Sequence, residues 1–238
     1  MIFAPPLIPA RLIRRYKRFL ADVSFDAETI VTVSVPNTGA MRGLVEPDNR
    51  VWLSYSANKS RKYHYRLEIV ETDGQMVGIN TSLPNQLALE ALHIGLLPEL
   101  SAYNKIFPEQ RYDTKSRIDF LLQNDCLEDC YLEIKNVHFI RKKGLAEFPD
   151  TPTARGTKHL QSLIRMVQTG KRAALVYIIQ REDCHAFSIC EDLDPLYGQM
   201  HRLALKAGVE FYAIKCAINT QSICPIQRIE IASHDPIY

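Results

Sequence analysis

The chain has 238 residues, 46% of them hydrophobic and 24% charged, with a formal net charge of +2, the composition of an ordinary globular protein with room for one large domain or two modest ones. No apolar run approaches the roughly 18 residues of a spanning helix, and the proline-rich opening residues 1–10 lack the basic and small-residue flanks of a secretory leader, so a membrane partner is excluded and a cytoplasmic location expected. The charge is uneven, net −4 over residues 81–130 and net +6 over 131–172, which suits a metal site that grips a polyanion, although an unevenly charged solvated surface gives the same counts.

The first 80 residues read as strand after strand. Residues 19–25, 29–35, 51–55, 63–71 and 76–79 are rich in Val, Ile, Tyr and Phe, with turn signals at Asn37-Thr38-Gly39 and Thr72-Asp73-Gly74. This density of short strands predicts an oligonucleotide-binding-like β-barrel over residues 1–82. Cations alternate with aromatics there: Arg14, Arg15, Lys17 and Arg18 with Tyr16 and Phe19, then Lys59, Arg61, Lys62 and Arg66 with Tyr63 and Tyr65. On such a barrel that mixture neutralises phosphates and stacks bases, while a solvated basic edge with inward aromatics is the alternative. Trp52 reads as core.

From residue 83 the period changes. Leu87, Ala88, Ala91 and Leu92 fall at helical spacing up to Gly95. Strands predicted at 118–122, 130–137, 173–180, 186–189 and 209–215 alternate with a helix over 154–168, closed by Gly170, and another from Asp194-Pro195 to Gly208. Residues 83–238 are therefore expected to form an α/β domain around a mixed central sheet. The six cysteines fall in this half without a CxxC pair and read as reduced thiols.

Alternation along 130–137 puts Glu133 and Lys135 on one face of a strand, and Asp119 opens an otherwise apolar strand just upstream. A buried unpaired carboxylate is costly, so a cation or Lys135 is its expected partner. Glu-x-Lys alone is common. An acid on one strand, a second strand carrying Glu-x-Lys, and then a helix together resemble the PD-(D/E)xK nuclease-like fold. In such folds the carboxylates bind Mg²⁺ or Mn²⁺ through hard oxygens, and the lysine orients the attacking water or stabilises phosphate charge. A salt bridge on a solvated face is the plainer alternative. Glu90 on the first helix is a third candidate ligand. Ser116 and Arg117 stand where they could contact phosphate, as do Lys158 and Gln161 on the helix after the motif, whose opening Gly156 and Thr157 could offer backbone N–H groups. His138 and His159 read as surface or packing histidines.

Beyond these local patterns, the blocks Lys17-Arg18-Phe19-Leu20-Ala21-Asp22-Val23, Pro36-Asn37-Thr38-Gly39, Trp52-Leu53-Ser54, Arg61-Lys62-Tyr63, Ser116-Arg117-Ile118-Asp119-Phe120, Glu133-Ile134-Lys135-Asn136, Phe148-Pro149-Asp150 and Arg155-Gly156-Thr157-Lys158-His159-Leu160 occur in one order. In them the whole chain resembles the sugar fermentation stimulation protein A family. The resemblance implies an N-terminal oligonucleotide-binding-like barrel, a nuclease-like second domain and non-specific DNA binding connected with sugar metabolism. Ser34-Val35 ahead of Pro36, and Thr151-Pro152-Thr153, depart from the family pattern outside the carboxylate and lysine positions. Two functions follow: a Mg-dependent nuclease acting on phosphodiester bonds, or a non-catalytic DNA-binding regulator of sugar (maltose) metabolism. DNA is the expected partner, with single-stranded DNA or RNA as alternatives; the oligomeric state is not encoded in any pattern found.

Overall fold

Alternating small apolar residues build the first half. In a computed structural model that describes residues 1–113 and 116–232, strands β1 (Ile8–Tyr16), β2 (Leu20–Ser24), β3 (Ile30–Ser34), β4 (Arg50–Tyr55) and β5 (Tyr65–Thr72) lie in the order β3-β2-β1-β4-β5, and a bridge between Ser34 and Arg66 closes the barrel. A further strand, β6 (Gln75–Gly78), folds back on β5. Asp73 and Gly74, at φ of 51° and 72°, form the two-residue turn that such a hairpin requires. Leu12, Val23, Val33, Leu53 and Leu67 fill the barrel. The periodicity predicts no strand over β1, because Pro9 and three arginines mask the alternation; Ala10 and Leu12 nevertheless point inward.

The second half contains helix α1 (Pro84–His93) and strands β7 (Lys105–Asp113), β8 (Ser116–Asn124), β9 (Leu127–Val137), β10 (Phe139–Lys142) and β11 (Leu145–Phe148). Helix α2 (Ala154–Gln168), strands β12 (Arg172–Ile179) and β13 (Ala186–Ile189), helix α3 (Pro195–Ala207) and strands β14 (Glu210–Ile218) and β15 (Ile223–Ile231) complete it. The sheet order is β10-β11-β13-β15-β14-β12-β9-β8-β7; β9, β12 and β14 run parallel, β13 runs parallel to both β11 and β15, and the other pairs are antiparallel. This is the mixed-sheet α/β domain the sequence predicts, enlarged by hairpin partners whose short or charged strands carry little periodicity.

Local chemistry sets the helix ends. Thr153 accepts a hydrogen bond from the Gly156 N–H at 3.0 Å to cap α2, and Asp194 accepts one from the Tyr197 N–H at 3.0 Å to cap α3. Gly208, at φ of 100°, ends α3 in the left-handed region.

Successive residues of β9 and β12 face opposite sides of the sheet, and both sides are covered. Leu132, Ile134, Ala174, Val176 and Ile178 pack on one face with Leu87, Ala88 and Ala91 of α1, and with Trp52 and Ile69 of the barrel. Ala173, Leu175, Tyr177 and Ile179 pack on the other with Leu160 and Leu163 of α2 and with Tyr197 of α3. Barrel and sheet thus share one core, and Glu133 and Lys135 are left facing α2. The backbones also join: Gly78 N–H donates to Gln180 O at 2.8 Å, and a Cβ on Gly78 would sit 2.6 Å from Gln180 Oε1 and 3.1 Å from its Cβ, so a larger residue would have to displace that side chain. All six cysteines are free, four of them buried. No helix among the described residues is long and apolar enough to cross a membrane.

Candidate metal and nucleic-acid site

Antiparallel pairing of β8 with β9 runs from Asn124 to Phe120. Asp119 comes next. Its Oδ2 accepts the Ile134 backbone N–H at 2.8 Å, and Oδ1 accepts Asn85 Nδ2 at 3.1 Å from the start of α1. A side chain has taken a position that a strand carbonyl would fill, which fixes this carboxylate beside Glu133.

Glu133 is 2% exposed. Its Oε1 accepts Lys135 Nζ at 2.5 Å and the imidazole Nδ1 of His159, which projects from α2. Its Oε2 is buried and has no hydrogen-bond partner among the described residues. Burial opposes the charge on Glu133, yet Lys135 and His159 outweigh it and hold the carboxyl below the usual range. Asp119 goes the other way: burial and the neighbouring Glu133 push its carboxyl above the usual range. Two carboxyls with opposed shifts and one orphaned oxygen form an electrostatic setting that a cation would relieve.

Asp119, Glu133 and Lys135 line a cleft of about 970 Å³. Thr81 and Ser82 border it at the end of the barrel, and Arg117, Arg155, Lys158, Gln161 and Arg165 add a mostly cationic wall from β8 and α2. Among the described residues no cluster of three His, Cys, Asp or Glu stands ready to hold a metal. Two carboxylates suit Mg²⁺ or Mn²⁺ all the same, because such ions keep several waters and take the rest of their shell from phosphate oxygens. The hard oxygen donors and the orphaned Glu133 Oε2 fit that group of ions.

The cleft brings together six residues singled out from sequence: Asp119, Glu133, Lys135, Arg117, Lys158 and Gln161. Glu90 is a correction. It does not line the cleft; its carboxylate accepts the Met1 amine at 2.8 Å. Five residues on a helix turn the side chain by about 140°, so α1 presents Asn85 to the site and turns Glu90 away. Arg15 is a second correction, since its guanidinium donates to the carbonyls of Arg18, Asn37, Gly39 and Ala40 at 2.6–3.3 Å and tethers a loop instead of facing solvent. The α2 opening is a third: Gly156 N–H is taken by Thr153 Oγ1 and Thr157 N–H by Thr153 O.

Arg14 is exposed but paired with Asp22 at 2.9 Å. Lys17 and Arg18 form the exposed β1–β2 turn, and Lys59, Arg61 and Lys62 are exposed in the loop between β4 and β5. None of these five lines the cleft. The side chain of Ser116 lies outside the described residues. Trp52 is buried as expected, with Arg50 over its ring at 5.1 Å. His159 and Asn85 are the contributors that sequence reading missed. For His159 the available signal was its place one turn beyond Arg155, beside Lys158, on the polar side of α2.

Residues 13–79 match the family model of the SfsA N-terminal OB domain, and residues 82–222 match that of the sugar fermentation stimulation protein RE domain. The sugar fermentation stimulation protein homolog of Bartonella quintana is 65% identical over 231 residues, covering 97% of this chain and 99% of that one. Its counterpart in Agrobacterium fabrum is 53% identical over 223 residues, covering 94% and 93%. Among solved structures, Pyrococcus furiosus SfsA in complex with Ca²⁺ superposes with a TM-score of 0.85 at 28% identity, covering 98% of this chain and 100% of that one.

Proposed function

Since the chain belongs to the sugar fermentation stimulation protein family, we propose that it binds DNA and that its cleft is the metal-dependent site of a phosphodiester nuclease. Residues 1–82 then serve as the strand-gripping unit and residues 83–238 as the cutting unit. The observation that carries this reading is buried Glu133, with one carboxylate oxygen that has no partner among the described residues, beside half-buried Asp119 and Lys135 in a cleft with a mostly cationic wall. The archaeal relative was solved with Ca²⁺, another hard cation that takes oxygen ligands.

Asp119 and Glu133 would hold Mg²⁺ or Mn²⁺. When bound, the ion supplies Lewis acidity toward a phosphoryl oxygen and makes a coordinated water more acidic. Arg117, Lys158 and Arg155 attract and seat the phosphates; Gln161 adds a neutral hydrogen-bonding group beside them. Lys135 places a positive charge beside the reacting phosphate, where it stabilises charge that develops in the transition state. Exposed Lys17, Arg18, Lys59, Arg61 and Lys62 on the barrel neutralise further phosphates along the strand.

A second reading, a non-catalytic DNA-binding regulator, draws support from one contact. Lys135 is already engaged by Glu133 and stands 3.1 Å from His159 Nδ1, the placement of a structural ammonium. Incubating the protein with end-labelled single- and double-stranded DNA and RNA, in Mg²⁺, Mn²⁺ or chelator, separates the two. Metal-dependent products that vanish in Asp119→Asn support the nuclease. DNA binding without products in any condition leaves the regulator.

A further inference from the structure

The Glu133 carboxylate is used asymmetrically. One oxygen is tied twice, to Lys135 and to His159, while the other is buried and has no hydrogen-bond partner among the described residues. The two ties differ in kind. Lys135 reaches across from the same strand on a flexible four-carbon stem, which fixes direction poorly. His159 has a short planar side chain on α2, whose Leu160 and Leu163 are fully buried against the sheet. Its far nitrogen is also occupied, because Arg155 Nε donates to His159 Nε2 at 3.3 Å. Arg155 donates to Nε2 and the Glu133 carboxylate only accepts, which assigns the ring proton to Nδ1, with Lys135 Nζ 3.1 Å from the same nitrogen.

We infer that His159 is a positioning residue: by holding Oε1 of Glu133 from a rigid helix, it aims Oε2 into the cleft beside Asp119. The inference rests on the metal reading given above and adds a role for a residue that is not itself a ligand, since both of its nitrogens are engaged by protein. Hydrogen-bonding partners of ligating side chains typically change metal affinity by about 10–100-fold when removed. The motif residues supply the oxygens, and α2 supplies their orientation.

The test is Mn²⁺ binding to the intact protein, measured by calorimetry and by the loss of the free-ion electron paramagnetic resonance signal, with thermal melts as a folding control. His159→Ala is expected to bind Mn²⁺ about 10–100-fold more weakly than wild type. His159→Asn, whose side-chain amide N–H can occupy the Nδ1–H position, should recover most of that loss; His159→Gln, which reaches toward the Nε2 position, should not. Wild-type affinity in folded His159→Ala overturns the inference alone, as does an Asn variant as weak as the Ala variant. A wild type that binds no Mn²⁺, or an Asp119→Asn that binds it normally, overturns the metal reading and the inference with it.

Discussion

Replacing Lys135 with methionine removes an ammonium while keeping most of its stem. The ammonium lies 2.5 Å from Glu133 Oε1, and the side chains are 13% and 3% exposed, so solvent screens the pair little. Breaking a buried ion pair from one side typically costs about 3–5 kcal/mol, because the remaining charge is left uncompensated. His159 still donates to the same oxygen, which places Lys135→Met toward the lower end, at about 3 kcal/mol. In a chain of this size each kcal/mol lowers the melting temperature by about 2–4 °C, so the metal-free variant should melt about 6–12 °C below wild type. Saturating Mg²⁺ or Mn²⁺ should return a large part of that difference, since a cation on Glu133 replaces the lost charge. Cleavage at saturating metal should fall by two orders of magnitude or more, equivalent to about 2.7 kcal/mol of transition-state stabilisation. Differential scanning fluorimetry with and without metal, paired with single-turnover cleavage, reads all three numbers. An unchanged metal-free melt would refute the argument that Lys135 neutralises Glu133. A destabilised variant that cleaves at the wild-type rate once metal restores its fold would show that the lysine is structural only.

Three further outcomes follow from the geometry. DNA affinity should fall with salt at a log–log slope of about −0.7 to −0.9 per phosphate contact, and Arg61→Ala/Lys62→Ala should flatten it by one to two contacts without moving the melt; binding insensitive to salt would remove the barrel from the interface. Arg15→Ala should lower stability by about 2–4 kcal/mol in urea titrations through loss of its carbonyl contacts, whereas Lys17→Ala and Arg18→Ala should leave stability intact and weaken binding; equal melts for all three would contradict the tether. His138 lies between Asn136, Asp150, Arg15 and Arg181, and burial, opposed by Asp150 and reinforced by the two arginines, holds it down at about 4. A histidine depressed from about 6.5 stabilises the fold fully above that pH and loses the contribution as pH falls toward 4, on the order of 3 kcal/mol; His138→Gln should flatten the stability profile in that window, and an unchanged slope would rule the residue out.

Much of this protein is legible locally. Turn residues mark the β5–β6 hairpin, Asp194-Pro195 and Gly208 mark the ends of α3, and two-residue alternation alone places Glu133 and Lys135 on one face. Each of these signals acts within a few residues, where backbone sterics and single hydrogen bonds decide the conformation. Asp119 as an acid poised against that strand was also readable, because a lone carboxylate in an apolar run demands a partner. What folding over long distances decides was not. Nothing in α1 taken alone says that Asn85 rather than Glu90 turns toward Asp119; the helix rotates to bury Leu87, Ala88 and Ala91 against the sheet, and the polar residues go where that leaves them. Arg15 looks like its basic neighbours until the carbonyls of residues 37, 39 and 40 fold around it. His159 becomes part of the site only because α2 lies over β9, a contact between residues 26 apart in sequence. Periodicity fixes which way a side chain faces on its own element, but the partner across the gap is set by the packing of both sheet faces at once, and that free energy belongs to the whole chain.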